Sequence, residues 1–473
     1  MTAVTLLLLL LCLQLQAEIT LPKILGSSMV LQRNQPVPIW GTASPGEKVT
    51  VKFQKQAKTA TAAASGHWNV LLDALPASSS PAAMTITGSN TITLDDILVG
   101  EVWLASGQSN MEYTMRKNSK VIKTGSTTEE SSVDELDRAN NPAIRIFLVT
   151  GKNLQTPDST HTGWSVAAGD PLRAFSAVGY FFAKELNAKL HVPIGVISSA
   201  MPGSAIEPWL AGKGINKQQP EGNQTKLEID EAEPGKFYST MIKPLAPFSI
   251  EGFLWYQGET NCFQNESIEY TYKMQALISE WRNLWNQKDL PFYYVQIAPF
   301  YYSENAGKYP LTTETLPRFW EVQTLILKIP HTGMAVTADL VDSPEDLHPG
   351  KKWEVGRRLA QWALAKDYGF KVTPSGPFYK NMKIEKGEIE LEFDYVGSGL
   401  KSSDNKPLTS FEIAGPDGKF VSAKAVIEGN RVIVSSAVVS KPVNVRFEWD
   451  ERGGANFYNK DGLPAVPFRT DKP

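Results

Sequence analysis

A change of hydrophobic period near residue 96 constrains the fold more than any other feature of the sequence. Between residues 96 and 369, continuous apolar runs alternate with segments whose apolar residues recur at helical spacing. The predicted strands are 97–105, 194–200, 251–257, 293–298 and 334–338, and the predicted helices are 177–190, 270–284, 315–328 and 352–367. Such alternation indicates an α/β domain, a parallel sheet with helices on both faces. Ligands of such sheets bind beyond the carboxyl ends of the strands.

Short β segments separated by turn residues flank this domain on both sides. Residues 18–95 alternate in strand fashion and predict a small N-terminal β-sandwich. Residues 370–473 return to the same pattern and predict a C-terminal β module. The polar segment 112–141 lacks periodicity and follows a strand end, so we expect a long surface loop there that is able to cover a site.

The composition excludes several classes of function. The 473 residues include 47 Lys and Arg against 50 Asp and Glu, which gives a net charge of −3. This balance offers no positive surface to nucleic acid or to anionic lipid, so no nucleic-acid partner is expected. Hydrophobic residues make up 42% of the chain and charged residues 21%, which is typical of a globular protein with a sizeable core.

The start of the chain has the pattern of an export signal. The apolar run 5–15 is too short to span a bilayer, which takes about 20 residues. Residues 1–17 are therefore predicted to be a signal peptide, removed after Ala17, and no membrane span is expected elsewhere. Without Cys12 of this leader, Cys262 is the one cysteine left, so no disulfide forms within the chain. We expect export to a periplasm or an extracellular space, and the lack of disulfides favours the periplasm.

A serine follows the first strand of the α/β domain. Ser109 lies within Gly-Gln-Ser-Asn-Met at 107–111, just after the predicted strand 97–105. A serine at a tight corner between strand and helix presents its hydroxyl to the crevice, where backbone N–H groups stabilise negative charge. The alternative is that Ser109 only caps the helix that follows.

A histidine that could activate this serine follows the last strand. A serine hydroxyl is a poor nucleophile until a base takes its proton, and histidine has a suitable pKa. Of the five histidines, only His348 lies just beyond a strand end with acids beside it, namely Glu345 and Asp346. A carboxylate in that place would orient the imidazole. Together with Ser109, His348 indicates nucleophilic catalysis; alone, it would be read as a solvated loop residue.

Two further strand ends carry groups that could stabilise a negatively charged oxygen. Gly203 follows the strand 194–200, and a glycine lets a backbone N–H approach a ligand closely, although an ordinary turn glycine is the alternative. The segment 255–261 carries Gln257, Glu259 and Asn261. The Asn261 amide could donate to an oxyanion, or the residue could cap the next helix.

Motifs for metal or cofactor binding are missing from the sequence. It contains no C-x-x-C, no H-E-x-x-H, no Walker A motif and no G-x-G-x-x-G that opens a helix. No metal and no cofactor are therefore expected. The adjacent acids at 345–346 do not form a glycosidase pair, which needs acids on opposite sides of the bond.

Four blocks in chain order read GQSNM, PGSAIEPW, WYQGETN and DLHPGKKWEVGRRLA. They resemble the sialate O-acetylesterases, a branch of the SGNH hydrolases. The segments LPKILGSSMVLQRNQPVPIWGTASPGEKV and NKDGLPAVPFRTD resemble the N-terminal β module and the C-terminal end of the same family, so the resemblance covers nearly the whole chain beyond the leader. It implies an SGNH-hydrolase-like sheet flanked by β modules.

The resemblance also implies a catalytic set. Ser109 corresponds to the nucleophile and His348 to the base. For the acid, the wider SGNH pattern points to Glu345, three residues before the histidine, whereas this branch more often has the D-x-H spacing that Asp346 makes. We favour Asp346, with Glu345 second. Glu259 is a third candidate, because related carbohydrate esterases have been argued to use an acid from its block.

The oxyanion donors and the activity follow from the same resemblance. Gly203 matches the second SGNH block. The third block usually reads G-x-N, whereas Gly258 and Asn261 lie one residue further apart, so Gln257 is a substitute for Asn261. The implied activity is serine-dependent hydrolysis of O-acetyl esters on sialic acids or sialoglycans, with release of acetate and without a cofactor.

Two other functions stay open at the level of sequence. The first is an acetyl xylan esterase or another polysaccharide acetylesterase with the same chemistry. Sialic acid carries a carboxylate that an arginine would bind, and the candidates are Arg116, Arg145 and Arg173. The second is a non-catalytic carbohydrate-binding protein, which the β modules and the 12 Trp suggest. The joint presence of Ser109, Asp346 and His348 argues against it.

Overall fold

The computed structural model describes most of the chain. The described residues are 18–121, 132–150, 154, 163–212, 214–218, 224–228, 235–305 and 307–471, with the backbone alone for 132–134, 214–218 and 224–228. The predicted leader 1–17 lies outside the described residues, and so does part of the predicted loop 112–141, namely 122–131.

Short strands form the N-terminal module, as their alternating pattern predicts. Strand β2 pairs with β5, and β3 pairs with both β4 and β6, all antiparallel. In β5, Trp68, Val70 and Leu72 are buried and the residues between them are exposed, so one face of the strand packs on a core. The strands are β1 (Val30–Gln32), β2 (Val37–Thr42), β3 (Lys48–Phe53), β4 (Gln56–Thr61), β5 (His67–Leu72) and β6 (Ser78–Thr87).

A central sheet confirms the predicted α/β class. Its strands are β7 (Thr91–Gly107), β8 (Asn141–Val149), β9 (Ser165–Ala167), β10 (Ile194–Ala200), β13 (Gly252–Tyr256), β14 (Phe292–Val295) and β15 (Thr332–Ala335), and a hairpin outside the sheet consists of β11 (Gly214–Gln218) and β12 (Gln224–Glu228). The spatial order is β15-β14-β13-β7-β10-β8-β9. Neighbouring strands are parallel except for β8 and β9, which pair antiparallel.

Strand β7 belongs to both the N-terminal module and the central sheet. Its first part pairs with β6, and from Glu101 onward it lies between β10 and β13. Every residue from Ile97 to Gly107 is buried, which explains the uninterrupted apolar run in the sequence. The backbone therefore passes through residue 96 into the sheet without a linker.

Helices cover both faces of the sheet, as predicted. Trp103 of β7 packs in one core with helices α5 and α9, and its neighbour Leu104 packs in another core with α7 and α8. Opposite faces result because successive side chains of a strand point to opposite sides. The helices are α1 (Ser109–Glu112), α2 (Met115–Asn118), α3 (Ser132–Arg138), α4 (Gly169–Arg173), α5 (Ala177–Leu190), α6 (Glu259–Phe263), α7 (Ile268–Leu284), α8 (Thr315–Leu325) and α9 (Lys352–Lys366). None of the helices in the described residues is long and apolar enough to cross a membrane.

The C-terminal module consists of antiparallel sheets around an aromatic core. Two four-stranded sheets have the orders β16-β17-β22-β21 and β20-β19-β23-β25, and β18 pairs with β24. Phe393, Phe411, Phe447 and Phe457 lie in the core of the module. The strands are β16 (Phe378–Glu385), β17 (Glu388–Asp394), β18 (Leu400–Ser402), β19 (Phe411–Ala414), β20 (Phe420–Ser422), β21 (Lys424–Glu428), β22 (Arg431–Ser435), β23 (Asn444–Phe447), β24 (Phe457–Asn459) and β25 (Phe468–Arg469).

Candidate active site

Three adjacent strands of the central sheet end at the same edge. Gly107 of β7 is in register with Ala200 of β10 on one side and with Tyr256 of β13 on the other. Chain order changes direction at β7, because β8 and β10 lie to one side of it and β13 to β15 lie to the other. A crevice forms at such a point, and open α/β sheets bind their ligands there.

A tight corner after β7 places Ser109 at this crevice. Gly107 has a φ of 137°, and a Cβ on it would lie 2.1 Å from the carbonyl oxygen of Tyr256, so only glycine fits. The Gln108 N–H donates to the same carbonyl at 2.9 Å, and α1 begins at the next residue. The N–H of Ser109 therefore lies in the first helical turn, where it has no acceptor within the helix.

The fold brings Ser109 and His348 into contact. The Oγ of Ser109 lies 2.8 Å from the Nε2 of His348, although the residues are 239 positions apart in the chain. Burial lowers the pKa of His348, the positive charges of Lys352 and Lys117 lower it further, and the negative charge of Asp346 opposes them. The imidazole is therefore neutral at pH 7, the form that can accept a proton from the hydroxyl.

The three candidate acids occupy different places. Asp346 is exposed, and its Oδ1 accepts a hydrogen bond from the backbone N–H of His348 at 2.8 Å. Glu345 is also exposed. Glu259 is buried and accepts a hydrogen bond from the Nδ2 of Asn110 at 2.5 Å. Within the described residues, none of the three carboxylates accepts a hydrogen bond from the ring of His348.

Gly203 lies in the turn after β10, at the open side of the crevice. It is exposed with a φ of 70°, and a Cβ on it would meet no atom within 4 Å. Its carbonyl oxygen accepts a hydrogen bond from Thr260 Oγ1 at 3.3 Å, which ties this turn to α6. Gly203 thus follows the end of β10 and Ser109 follows the end of β7, and these two strands are neighbours in the sheet.

The amides of Gln257 and Asn261 are engaged inside the protein. Both residues are fully buried, and the Nε2 of Gln257 donates to the Oδ1 of Asn261 at 2.7 Å. The same Oδ1 accepts from the N–H of Ile206 at 3.1 Å, and the Nδ2 of Asn261 donates to Glu207 at 3.3 Å. These contacts brace the segment that follows Gly203, a function that sequence reasoning did not assign to either amide.

Sequence reasoning also missed a buried lysine at the site. Lys352 is fully buried, and its Nζ donates to the Oδ1 of Asn110 at 2.6 Å. Burial lowers the pKa of Lys352 to about 7, against the opposing charges of Glu259 and Asp346. The signal for this residue is its position at the first turn of α9, where the helix dipole disfavours a cation.

The candidate arginines lie in different environments. Arg145 is buried in a bidentate pair with Asp96, at 2.6 and 3.0 Å. It is in register with Gly195 at the start of β10, and so lies toward the edge of the sheet opposite the crevice. Arg173 lies 3.5 Å from Asp137. Arg116 is exposed on α2, which follows α1.

Comparison with known proteins identifies the family. Residues 99–365, which include Ser109, Gly203, Glu259 and His348, match the family described as carbohydrate esterase, sialic acid-specific acetylesterase. The chain belongs to this family. It is therefore a carboxylic ester hydrolase, so the alternative of a non-catalytic carbohydrate-binding protein is set aside.

Individual members are similar over most of their length. The human sialate O-acetylesterase is 30% identical over 425 residues, which cover 81% of this chain and 78% of the human protein. The mouse sialate O-acetylesterase is 27% identical, with 93% and 92% covered. A crystal structure of a carbohydrate acetylesterase from Xanthomonas citri has a TM-score of 0.83 and 37% identity, and the match covers 96% of this chain and 100% of that one. The likeness includes the flanking β modules, which lie outside residues 99–365.

Proposed function

We propose that this esterase removes O-acetyl groups from sialic acids, with Ser109 as nucleophile and His348 as general base. The observation that carries the proposal is the 2.8 Å contact between the Oγ of Ser109 and the Nε2 of His348. This contact lies at the switch point of the sheet in a chain of the acetylesterase family. The sialate substrate is suggested by the relatives that are named sialate O-acetylesterase.

The reaction follows the logic of serine acyl transfer. His348 takes the proton of Ser109 as the Oγ attacks the acetyl carbonyl carbon, and the carbonyl oxygen becomes an oxyanion. The backbone N–H groups of Ser109 and Gly203 donate to that oxyanion. His348 then gives its proton to the sugar oxygen, and the sugar leaves as an alcohol. Water attacks the acetyl-serine with His348 again as base, and acetate leaves.

Asp346 is the proposed acid of the site. Its negative charge opposes the lowering of the His348 pKa, which means that it stabilises the imidazolium formed during the attack. Its hydrogen bond from the backbone N–H of His348 keeps the charge beside the ring. Glu345 and Glu259 are the alternatives. Asp346→Asn should lower turnover more than Glu345→Gln, measured as acetate release at pH 7, and the reverse order would move the acid to Glu345.

Removal of the nucleophile tests the proposal directly. Ser109→Ala should lower acetate release from an acetylated sugar by several orders of magnitude, because the covalent route is lost. A fluorophosphonate probe should label the wild-type protein and fail to label this variant. Ser422→Ala, at an exposed position of β20, serves as the matched control and should behave like wild type. Wild-type turnover by Ser109→Ala would refute the proposal.

A second substrate class has an observation in its favour. The protein from Xanthomonas citri, 37% identical to this chain, is named a carbohydrate acetylesterase, a name that covers sialic acids and other acetylated sugars alike. Two of the three arginine candidates, Arg145 and Arg173, also lie beside carboxylates of this chain. The test is to compare acetate release from acetylated mucin sialic acids and from acetylated xylan. Preference for xylan would select the polysaccharide acetylesterase.

Export is the proposed route of this enzyme to its substrate. The apolar run 5–15 followed by Ala17 supports removal of a leader. Intact-mass measurement of the protein secreted by a bacterial host should give a mature chain that begins at Glu18. An uncleaved chain that stays in the cytosol would contradict export.

A further inference from the structure

A buried cation lies behind the Ser109–His348 pair. The Nζ of Lys352 donates one hydrogen bond, to the Oδ1 of Asn110, and lies 4.9 and 5.2 Å from the ring centroids of Tyr113 and Tyr256. Within the described residues, no carboxylate makes an ion pair with it. An amide oxygen and two ring faces therefore replace water around this ammonium group.

Lys352 determines how the amide of Asn110 is oriented. The ammonium form of lysine can only donate hydrogen bonds and the carbonyl oxygen of Leu347 can only accept them, so the amide oxygen of Asn110 faces Lys352 and its nitrogen faces Leu347. The Nδ2 of Asn110 then donates to the Oε1 of Glu259 at 2.5 Å and to the carbonyl oxygen of Leu347 at 3.0 Å. The other carboxylate oxygen of Glu259 lies 3.1 Å from the amide of Gln108. Asn110 follows the nucleophile in the chain, and Leu347 precedes the base.

A second asparagine holds the other side of the base. The Nδ2 of Asn118 donates to the carbonyl oxygen of Gly350 at 2.6 Å, two residues after His348. Val121 packs against Gly350, where a Cβ would lie 2.5 Å from the valine side chain, so a larger residue at position 350 would force the two segments apart. Hydrogen bonds to the backbone on both sides of His348 thus position the loop that carries it. The bond from Asn110 to Leu347, the residue next to His348, depends on Lys352 because Lys352 orients the amide of Asn110.

The charges around the base come from three elements. Lys352 at the start of α9 and Lys117 on α2 both lower the pKa of His348, and Asp346 of its own loop raises it. Glu259 of α6 and Asp346 face Lys352 in turn. Lys352 is thus the member of the buried network whose positive charge lowers the pKa of His348.

We propose that Lys352 is a positioning residue of the hydrolysis: it orients Asn110, and through it the loop of His348, and it places a positive charge beside the imidazole. The inference rests on the proposed function, in which Ser109 and His348 carry the reaction. No substrate contact is assigned to Lys352.

The experiment measures the rate at which a fluorophosphonate probe labels Ser109 between pH 4 and 9, so it does not depend on which sugar is the substrate. In wild type, labelling should reach half of its maximum below pH 6.5, the ordinary pKa of histidine. In Lys352→Met the midpoint should move to higher pH, and the maximal rate should fall on the order of a hundredfold because the base is misplaced.

Two matched variants separate this role from a purely structural one. Lys352→Arg keeps both the donor and the charge, so its midpoint should stay near that of wild type. Lys351→Met removes the neighbouring lysine, which is half-buried and pairs with Asp342 at 2.7 Å, and its midpoint should also stay in place. Melting temperatures establish that each variant is folded.

The outcomes are distinct. A folded Lys352→Met protein with an unshifted midpoint overturns the inference, even if its rate falls, and leaves the proposed function intact. If Lys352→Met does not fold, Lys352→Gln, which keeps a donor to Asn110 and removes the charge, takes its place, and an unshifted midpoint in that folded variant overturns the inference in the same way. Labelling that is absent in wild type, or equal in Ser109→Ala, would refute the proposed function itself.

Discussion

Two buried lysines lie at the same edge of the sheet and differ in what surrounds them. Lys352 has a neutral amide as its hydrogen-bond acceptor, whereas Lys273 of α7 is bonded to the carboxylates of Glu207 and Glu266. Burial acts to lower the pKa of both lysines, but the net shifts of the two pKa values differ. For Lys273 the two carboxylates outweigh burial and the pKa is raised, whereas for Lys352 it falls to about 7.

The comparison shows that the hydrogen-bond partner of a buried lysine determines whether its charge stabilises the fold or changes the pKa of a neighbouring group. Lys273 forms a closed clamp, since Glu207 also accepts a hydrogen bond from Asn261 and so links α7 to the turn after β10. Lys352 has no such counter-charge in contact among the residues that the structure describes, and its positive charge lowers the pKa of His348. A paired lysine holds structure together, and an unpaired one acts on its neighbours.

The largest expected effect is on stability, at the closed clamp. Lys273→Met should lower the free energy of unfolding by about 3–5 kcal/mol, because it leaves two carboxylates buried without a counter-charge. Urea denaturation measures this loss. A loss below about 1 kcal/mol would show that the clamp is weak and would break the comparison. The pH midpoint of Ser109 labelling should stay near its wild-type value, since Lys273 is paired with the carboxylates of Glu207 and Glu266 and not with the loop of His348.

A substitution of nearly the same shape, asparagine to aspartate, can give Lys352 the kind of carboxylate partner that Lys273 has. Asn110→Asp gives Lys352 a carboxylate partner, as Lys273 has, but removes the donor to Leu347 and adds charge beside Glu259. Acetate release should fall on the order of a hundredfold, because the loop of His348 loses its hydrogen bond. The pKa of Lys352 should rise. Wild-type turnover in this variant would show that the amide of Asn110 is not needed.

The two lysines should also give opposite dependences of stability on pH. The folded-state pKa of Lys352 is about 7, below its ordinary 10.5, so the folded protein binds fewer protons than the unfolded chain between these values. Wild type should therefore gain stability relative to Lys352→Met as pH rises from 7 toward 10.5, by up to about 1.4 kcal/mol per pH unit.

The contribution of Lys273 to stability changes with pH in the opposite direction. Its pKa is raised in the folded state, so its stabilising charge is fully present below 10.5 and is lost as pH rises through the raised value. Between pH 7 and 9 the contribution of Lys273 should therefore stay constant while that of Lys352 changes, and denaturation curves of wild type and of both lysine-to-methionine variants at pH 7, 8 and 9 measure this difference. Equal slopes for the two variants would contradict the difference in their surroundings.

The smallest effect concerns an exposed cation near the base. The side chain of Lys117 is 54% exposed, so water and salt screen its charge. Lys117→Met should move the midpoint of Ser109 labelling upward by less than Lys352→Met does. This smaller shift should vanish in 1 M salt, while that of Lys352→Met persists. A midpoint shift that salt does not change would show that the charge of Lys117 is not screened by solvent and acts on His348 as a buried charge does.

Local patterns carried most of the prediction of the fold. The helix predicted at 177–190 is α5 with the same bounds, and the helix predicted at 352–367 ends one residue earlier. The helix predicted at 315–328 is α8 up to Leu325, and a 3-10 turn follows it. Such errors are expected where one helical turn changes into another, because the two differ little in sequence preference.

The candidate site was predictable only in part. The positions of Ser109 and Gly203 follow from strand ends, because parallel strands must end at a common edge. The engagement of Asn261 depends on Ile206 and Glu207, which reach it from another strand end. No local pattern encodes such a partner, so the sequence does not show whether the amide of an asparagine is hydrogen-bonded inside the protein or available to a substrate.

The sequence by itself determined the succession of strands and helices, because hydrophobic period is a local property of the chain. It also determined which reactive groups stand at strand ends, since turn residues and apolar runs mark those ends. The tertiary structure alone decided that Ser109 meets His348, that Lys352 contacts a neutral amide and no carboxylate of the described part of the chain, and that Lys273 contacts two carboxylates. These features depend on distances between residues far apart in the chain, and burial, which sets the strength of every charge, exists only once the chain has folded.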